Sequence, residues 1–226
     1  MAIRWRSGLG EDSRHLLVEG SRRMGIGLEM GDCGRLSVYL AELMKWNRRV
    51  NLVARDTPER QAIDCHFLDS LTLLPLLQES DDPVHLLDVG TGAGFPGLVL
   101  ACVLPGASFT LVEVRQKRVS YLRHLIRTLG LANVEVVADR IEPHAAAWHG
   151  RFTHVTSRAV AEPGVFLPLI RPLVTPATRV ILMLAGREAL VSIERFPAGP
   201  WRLAGTRDFV LPFSEAPRLL AVVHSG

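Results

Sequence analysis

The chain is poor in cysteine, lysine and aromatic residues, and it has no long apolar run. Its three cysteines, Cys33, Cys65 and Cys102, are an odd number with no C-x-x-C spacing. That argues against a disulfide framework and against a zinc site, and no metal is expected; the thiols are read as reduced, in a cytoplasmic protein. No apolar stretch is long enough to cross a bilayer. The opening residues Met1-Ala2-Ile3-Arg4-Trp5-Arg6 lead into no apolar segment of the kind a secretory signal needs. No membrane partner is therefore expected. Repeats and low-complexity segments are absent as well. Of the 26 basic residues only Lys45 and Lys117 are lysines, a bias that fits RNA binding and genomic base composition equally well. The net charge of +3 permits a polyanionic partner without demanding one.

What is present is ordinary for a globule: 48% hydrophobic and 22% charged residues. The length of 226 residues suits one α/β domain with an extension. Asp81-Asp82-Pro83 reads as the linker between them. Residues 1–82 are expected to form an arm and a helical extension, and residues 83–226 the α/β domain.

The informative stretch is Asp88-Val89-Gly90-Thr91-Gly92-Ala93-Gly94-Phe95-Pro96-Gly97. An apolar strand, Val84 to Val89, runs into a glycine turn and then an apolar helix, with Pro96 at its first position and Pro105-Gly106 at its end. Glycines let a ligand approach the backbone, and a helix start offers free N–H groups. Two cofactors compete. Gly92 to Gly97 matches the dinucleotide pattern G-x-G-x-x-G. Asp88 with Gly90, Gly92 and Gly94 matches the acid-then-glycine pattern of Rossmann-like methyltransferases. A carboxylate repels a pyrophosphate but suits the sulfonium and ammonium of S-adenosylmethionine, so the methyl donor is favoured. An NAD-dependent oxidoreductase stays open as the alternative.

Along the chain, Ser13 to Met24 reads as a short helix in a mildly basic start that includes Arg4 and Arg6. Leu36, Leu40, Leu43 and Met44 recur at helical spacing, predicting a helix to Trp46. Arg48 and Arg49 follow it and face outward. Thr57-Pro58 reads as N-cap and first helical position, and Glu59 to Leu77 as mostly helical with a bend at Pro75. His66 and Asp69 within it read as packing or capping residues. Ser108 to Val112 is the second strand, and Glu113 at its end falls about twenty residues past the glycines, where an acid accepts from ribose hydroxyls. Arg115 to Leu129 is a helix capped by Gly130. Its basic residues, Arg123 and Arg127 among them, form a phosphate-tracking stripe or a solvated face. Val134 to Val137 and Phe152 to Ser157 are the third and fourth strands. Asp139 or Glu142, after the third, suits an adenine amino group. Arg158, after the fourth, suits a carboxylate or phosphate, because its fork binds either in bidentate fashion. Phe166 to Leu173 is a helix, Thr178 to Leu184 the fifth strand, and Trp201 to Leu211 and Arg218 to His224 two more.

The motifs Trp46-Asn47…Asn51-Leu52, His66-Phe67-Leu68-Asp69-Ser70, Asp88 to Gly97 and Ser157-Arg158-Ala159, in this order and spacing, resemble the RsmG (GidB) family of small-subunit ribosomal RNA methyltransferases. The resemblance covers about Leu36 to Leu184. It implies a Rossmann-like class I methyltransferase fold with a mostly parallel seven-stranded sheet. It also implies methyl transfer from S-adenosylmethionine to N7 of one guanine of 16S rRNA in the small ribosomal subunit; separately, a monomer is expected. Carried over position by position, the resemblance places the cofactor against Gly90, Phe95, Glu113, Val114, Arg115, Ile141, Glu142 and Arg158, beside the Asp88 and Gly92 that the loop pattern itself points to. The RNA surface is expected at Arg48, Arg49, Arg123, Arg127 and Arg187. One departure is Ala185-Gly186, where the family usually carries Lys-Gly; Arg187 is the expected substitute. Guanine N7 has an in-plane lone pair and no proton, so the expected chemistry is positioning, with no general base.

Overall fold

The computed structural model describes residues 11–79, 82–158, 162–190 and 201–226. Arg4 and Arg6 of the mildly basic start lie outside them.

Helix α1 spans Glu11–Arg23 and α2 spans Met30–Asn47. The backbone N–H of Glu29 donates to Asp32 Oδ2 at 3.1 Å, which starts α2 six residues before the apolar spacing suggested. Glu59–Ala62 is α3. Thr57 does not cap it. Its hydroxyl and its amide both turn back to the carbonyl of Ala54, and Pro58 takes the N-cap position. A π-helical stretch, Ile63–Leu68, follows, then α4 (Asp69–Leu71) and α5 (Leu74–Leu77). The break expected at Pro75 comes earlier, because the Thr72 amide and hydroxyl both bond to the Asp69 carbonyl.

Strand β1 is His85–Val89, α6 Gly97–Val103, β2 Ser108–Val112, α7 Gln116–Leu129 and β3 Val134–Val137. Then come β4 (His154–Arg158), α8 (Pro163–Ile170), β5 (Arg179–Leu184), β6 (Trp201–Val210) and β7 (Pro217–Ser225). Gly130 closes α7 in the left-handed conformation, as a helix C-terminus favours. The sheet order is β3-β2-β1-β4-β5-β7-β6. Strands β1 to β5 are parallel, while β7 runs antiparallel between β5 and β6. That insertion departs from the dinucleotide-binding order 3-2-1-4-5-6.

Alternation along each strand serves two cores, as expected of a sheet covered on both faces. Leu86, Phe109, Leu111 and Ile181 pack under α2, α6 and α7. Leu87, Val112, Val155 and Val180 pack against α8, Trp148 and Phe152. The N-terminal helices contribute Leu17, Leu36, Leu40, Leu43, Phe67 and Leu71 to the first core. The extension is thus part of the layer that covers one face of the sheet.

Candidate cofactor site

The glycine turn leaves the carboxyl end of β1 with three positive φ angles, +69° at Gly90, +63° at Gly92 and +100° at Gly94. At Gly94 a Cβ would also stand 2.4 Å from the Tyr39 hydroxyl, which donates to the Ala93 carbonyl at 2.7 Å. Helix α2 therefore clamps the turn from outside the sheet, and only glycine fits under the clamp. Asp88 is fully buried below it. Its Oδ2 accepts from the Thr91 hydroxyl at 2.7 Å and the Gly97 amide at 2.9 Å. Its Oδ1 is buried and has no partner. Burial pushes this carboxyl up to about 7, against the opposing pull of those two hydrogen bonds. A buried carboxylate with a spare oxygen, under a turn with an open backbone, fits a cationic ligand and not a pyrophosphate.

Glu113 follows β2 directly and is also buried. Oε1 accepts from the Arg115 amide at 2.8 Å, and Oε2 lies 3.5 Å from Arg118 Nη1. Arg118 donates in turn to the Asn51 carbonyl at 3.2 Å, tying the segment after α2 to the start of α7. Both oxygens of the acid are thus oriented before any ribose arrives. Val114 and Arg115 beside it are exposed, and Ile141 is buried after β3. Glu142 is exposed at the start of a short 3₁₀ turn. Asp139 is engaged by the Arg140 amide and by His144.

Arg158 ends β4. Its Nη1 donates to the Cys65 carbonyl and to His66 Nδ1, both at 3.2 Å, and to Asp69 Oδ2 at 3.4 Å. Its guanidinium stands 4.9 Å from the Phe95 ring centroid. Phe95 stacks between Tyr39, at 5.5 Å and 6°, and His66, at 5.1 Å and 26°. Arg218 Nε donates to the other oxygen of Asp69 at 3.1 Å. Burial raises the Asp69 carboxyl even with two arginines opposing it. Burial, and next the Arg158 charge, lower the His66 imidazole to about 4.

The structure therefore gathers Asp88, Gly90, Gly92, Phe95, Glu113, Val114, Arg115, Ile141, Glu142 and Arg158 at or just beyond the carboxyl ends of β1 to β4, where open α/β sheets bind ligands. It adds Tyr39, His66, Asp69, Arg118 and Arg218, none of which the sequence singled out for the site. The spacing of His66 and Asp69, three residues apart on one helical face, was the available signal. Arg48, Arg49, Arg123 and Arg127 are exposed, the last two on α7. Arg187 is exposed and paired with Asp208 of β6; Ala185 is exposed. Among the described residues, no group of three or more His, Cys, Asp or Glu could hold a metal ion. No helix among them is long and apolar enough to cross a membrane.

With this geometry in place, residues 32–216 match the family model GidB, described as rRNA small subunit methyltransferase G. A protein of Desulfotalea psychrophila named Ribosomal RNA small subunit methyltransferase G is 40% identical over 212 residues, 92% of this chain and 96% of that one. A protein of the same name from Burkholderia thailandensis is 38% identical over 95% of this chain and 92% of its own. Among solved structures, a mutant of MtNAS in complex with S-adenosylmethionine superposes with a TM-score of 0.57 at 21% identity, covering 98% of this chain and 86% of that one.

Proposed function

The chain belongs to the GidB family, rRNA small subunit methyltransferase G, and from that premise we propose that it methylates N7 of one guanine of 16S rRNA in the small ribosomal subunit. It is an S-adenosylmethionine-dependent rRNA methyltransferase of the class I fold. Acting on that substrate places it in the cytoplasm, and we take it to work as a monomer, with residues 1–82 as the extension to the catalytic fold.

The observation that carries the site assignment is the unpartnered Oδ1 of buried Asp88 beneath a positive-φ glycine turn. When bound, the cofactor supplies an electrophilic methyl group on a sulfonium. Asp88 then balances positive charge, directly or through a water. Glu113 accepts from ribose hydroxyls, Val114 and Arg115 flank the base, and Ile141 with Glu142 closes its far side. Arg158, held over Phe95 by Asp69, His66 and Cys65, takes the methionine carboxylate or an RNA phosphate. Guanine N7 has no proton to lose, so no residue of the chain needs to act as a base; the protein aligns the base with the methyl group. The purine gains positive charge in the reaction. The Asp69 carboxylate, shared by Arg158 and Arg218, offsets part of the positive charge that these arginines bring near the purine. Arg48, Arg49, Arg123, Arg127 and Arg187 supply phosphate contacts.

The test is methyl transfer from labelled S-adenosylmethionine to unmodified small subunits, to assembly intermediates and to naked 16S rRNA, with the modified base mapped. Label at one guanine N7 is expected. Label at an exocyclic amine or a ribose oxygen would contradict the reading.

A further inference from the structure

We propose that His66 reads the target base, its Nε2–H donating to O6 of the guanine whose N7 accepts the methyl group; this rests on the guanine-N7 reading above. Arginine only donates, so the 3.2 Å contact from Arg158 assigns His66 Nδ1 as an acceptor and leaves the ring proton on Nε2. Among the described residues no hydrogen bond to Nε2 is formed, and the His66 residue is half-buried. The ring is held on one side by Phe95 of the glycine turn and at its other nitrogen by Arg158 at the end of β4. A free N–H donor is thereby fixed in orientation beside the two elements that form the cofactor edge.

The local backbone serves the same end. His66 lies inside the π-helical stretch Ile63–Leu68, a conformation that recurs at functional sites because it re-aims side chains out of the α-helical register. Asp69 lies one turn on and holds Arg158 and Arg218, so the arginine that bonds His66 is itself anchored.

The chemistry selects guanine. On its N7 edge guanine shows two adjacent acceptors, N7 and O6, whereas adenine shows N7 beside an amino donor. A fixed N–H next to the methylated nitrogen matches the first and opposes the second. The imidazole is held neutral far below physiological pH, so it donates without placing a second cation beside a ring that becomes cationic.

The test uses full-length enzyme and small subunits reconstituted with guanine or 2-aminopurine, which keeps N7 and lacks O6, at the target position. Wild type is expected to lose about tenfold in kcat/KM on 2-aminopurine, the scale of one hydrogen bond. His66→Phe keeps a ring on Phe95 and is expected to lose about tenfold on guanine while becoming indifferent to the exchange. His66→Gln, which keeps a donor, is expected to restore discrimination. A cooperative thermal melt with a far-ultraviolet circular dichroism spectrum like that of wild type reports that each variant is folded. If His66→Phe fails that check, His66→Gln alone decides: retained discrimination supports the proposal and lost discrimination overturns it. A His66→Phe enzyme that discriminates as wild type does overturns it too. Wild type that leaves guanine N7 unmodified overturns the functional reading itself, and this proposal with it.

Discussion

The two edges of the sheet handle polar groups in opposite ways. At the carboxyl edge Asp88, Glu113 and Asp69 are buried and bonded to backbone amides, a hydroxyl or arginines, with Phe95 stacked among them. At the amino edge a cavity of about 460 Å³ is lined by Leu76, Leu77, His85, Arg151, His154 and Arg179. Its arginines reach outward, Arg151 to Glu135 and Arg179 to Glu79, in partly exposed ion pairs. Among the described residues, each edge has one buried polar atom without a partner, Asp88 Oδ1 and His154 Nε2. Among the described residues, the turn with three positive-φ glycines lies at the carboxyl edge. Buried charge under an open backbone marks the site.

Gly94→Ala should break the contrast most severely. The added methyl meets the Tyr39 hydroxyl at 2.4 Å in a backbone conformation that favours glycine. A loss of about 2–4 kcal/mol in stability is expected, with cofactor binding abolished. Denaturant melts and calorimetry check both.

Glu113→Ala should come next. Loss of a charged acceptor costs about 1.5–3 kcal/mol, one to two decades in cofactor affinity. An analogue without ribose hydroxyls should bind wild type and variant alike; a variant that still discriminates against it would move the contact elsewhere.

Asp88→Asn should weaken S-adenosylmethionine binding by about tenfold, the scale of one charge-assisted hydrogen bond, and remove a pH dependence. The folded carboxyl is raised to about 7. Its share of stability is therefore complete below the ordinary carboxylate value and is lost as pH rises through 7. His66 and His154, each lowered to about 4, work oppositely: their shares are complete above 6.5 and are lost as pH falls through 4. Between these limits the acid and the histidines oppose one another. The substitution removes the acid's share alone, so the stability of Asp88→Asn relative to wild type should grow from pH 5 to pH 8. A difference flat with pH would contradict it.

These predictions also show which features a sequence can reveal. The glycine turn, Asp88 and Glu113 were legible because their partners are local or follow from strand–turn–helix order. Arg158 was legible as a residue at a strand end. Its setting was not: His66 lies 92 residues before it, and Asp69 meets Arg218 across 149. No periodicity encodes such pairings, and a histidine on an apolar helix reads as packing until the sheet edge is seen beside it. The clamp of Tyr39 on Gly94 was hidden for the same reason. Thr57 misled because its hydroxyl had a nearer acceptor, Ala54, than the helix start. The alternation of strands and helices was legible from the sequence pattern, and the family resemblance implied the mostly parallel seven-stranded sheet.

Two smaller effects sharpen the comparison. Reversal of Arg123 and Arg127 to Glu should flatten the salt dependence of RNA binding by about 0.7 per lost phosphate contact while sparing cofactor affinity. An unchanged slope would move the RNA surface to Arg48 and Arg49. At the amino edge, Arg151→Ala should cost less than about 1 kcal/mol, since its pair with Glu135 is largely exposed, and should leave methyl transfer unchanged.

The most direct test of the carboxyl-edge assignment is amide hydrogen exchange of the whole enzyme with and without S-adenosylmethionine. Protection is expected in residues 88–97, 113–115 and 141–142, with residues 82–85, 151–154 and 177–179 unchanged. Protection confined to the amino-edge segments would contradict the account.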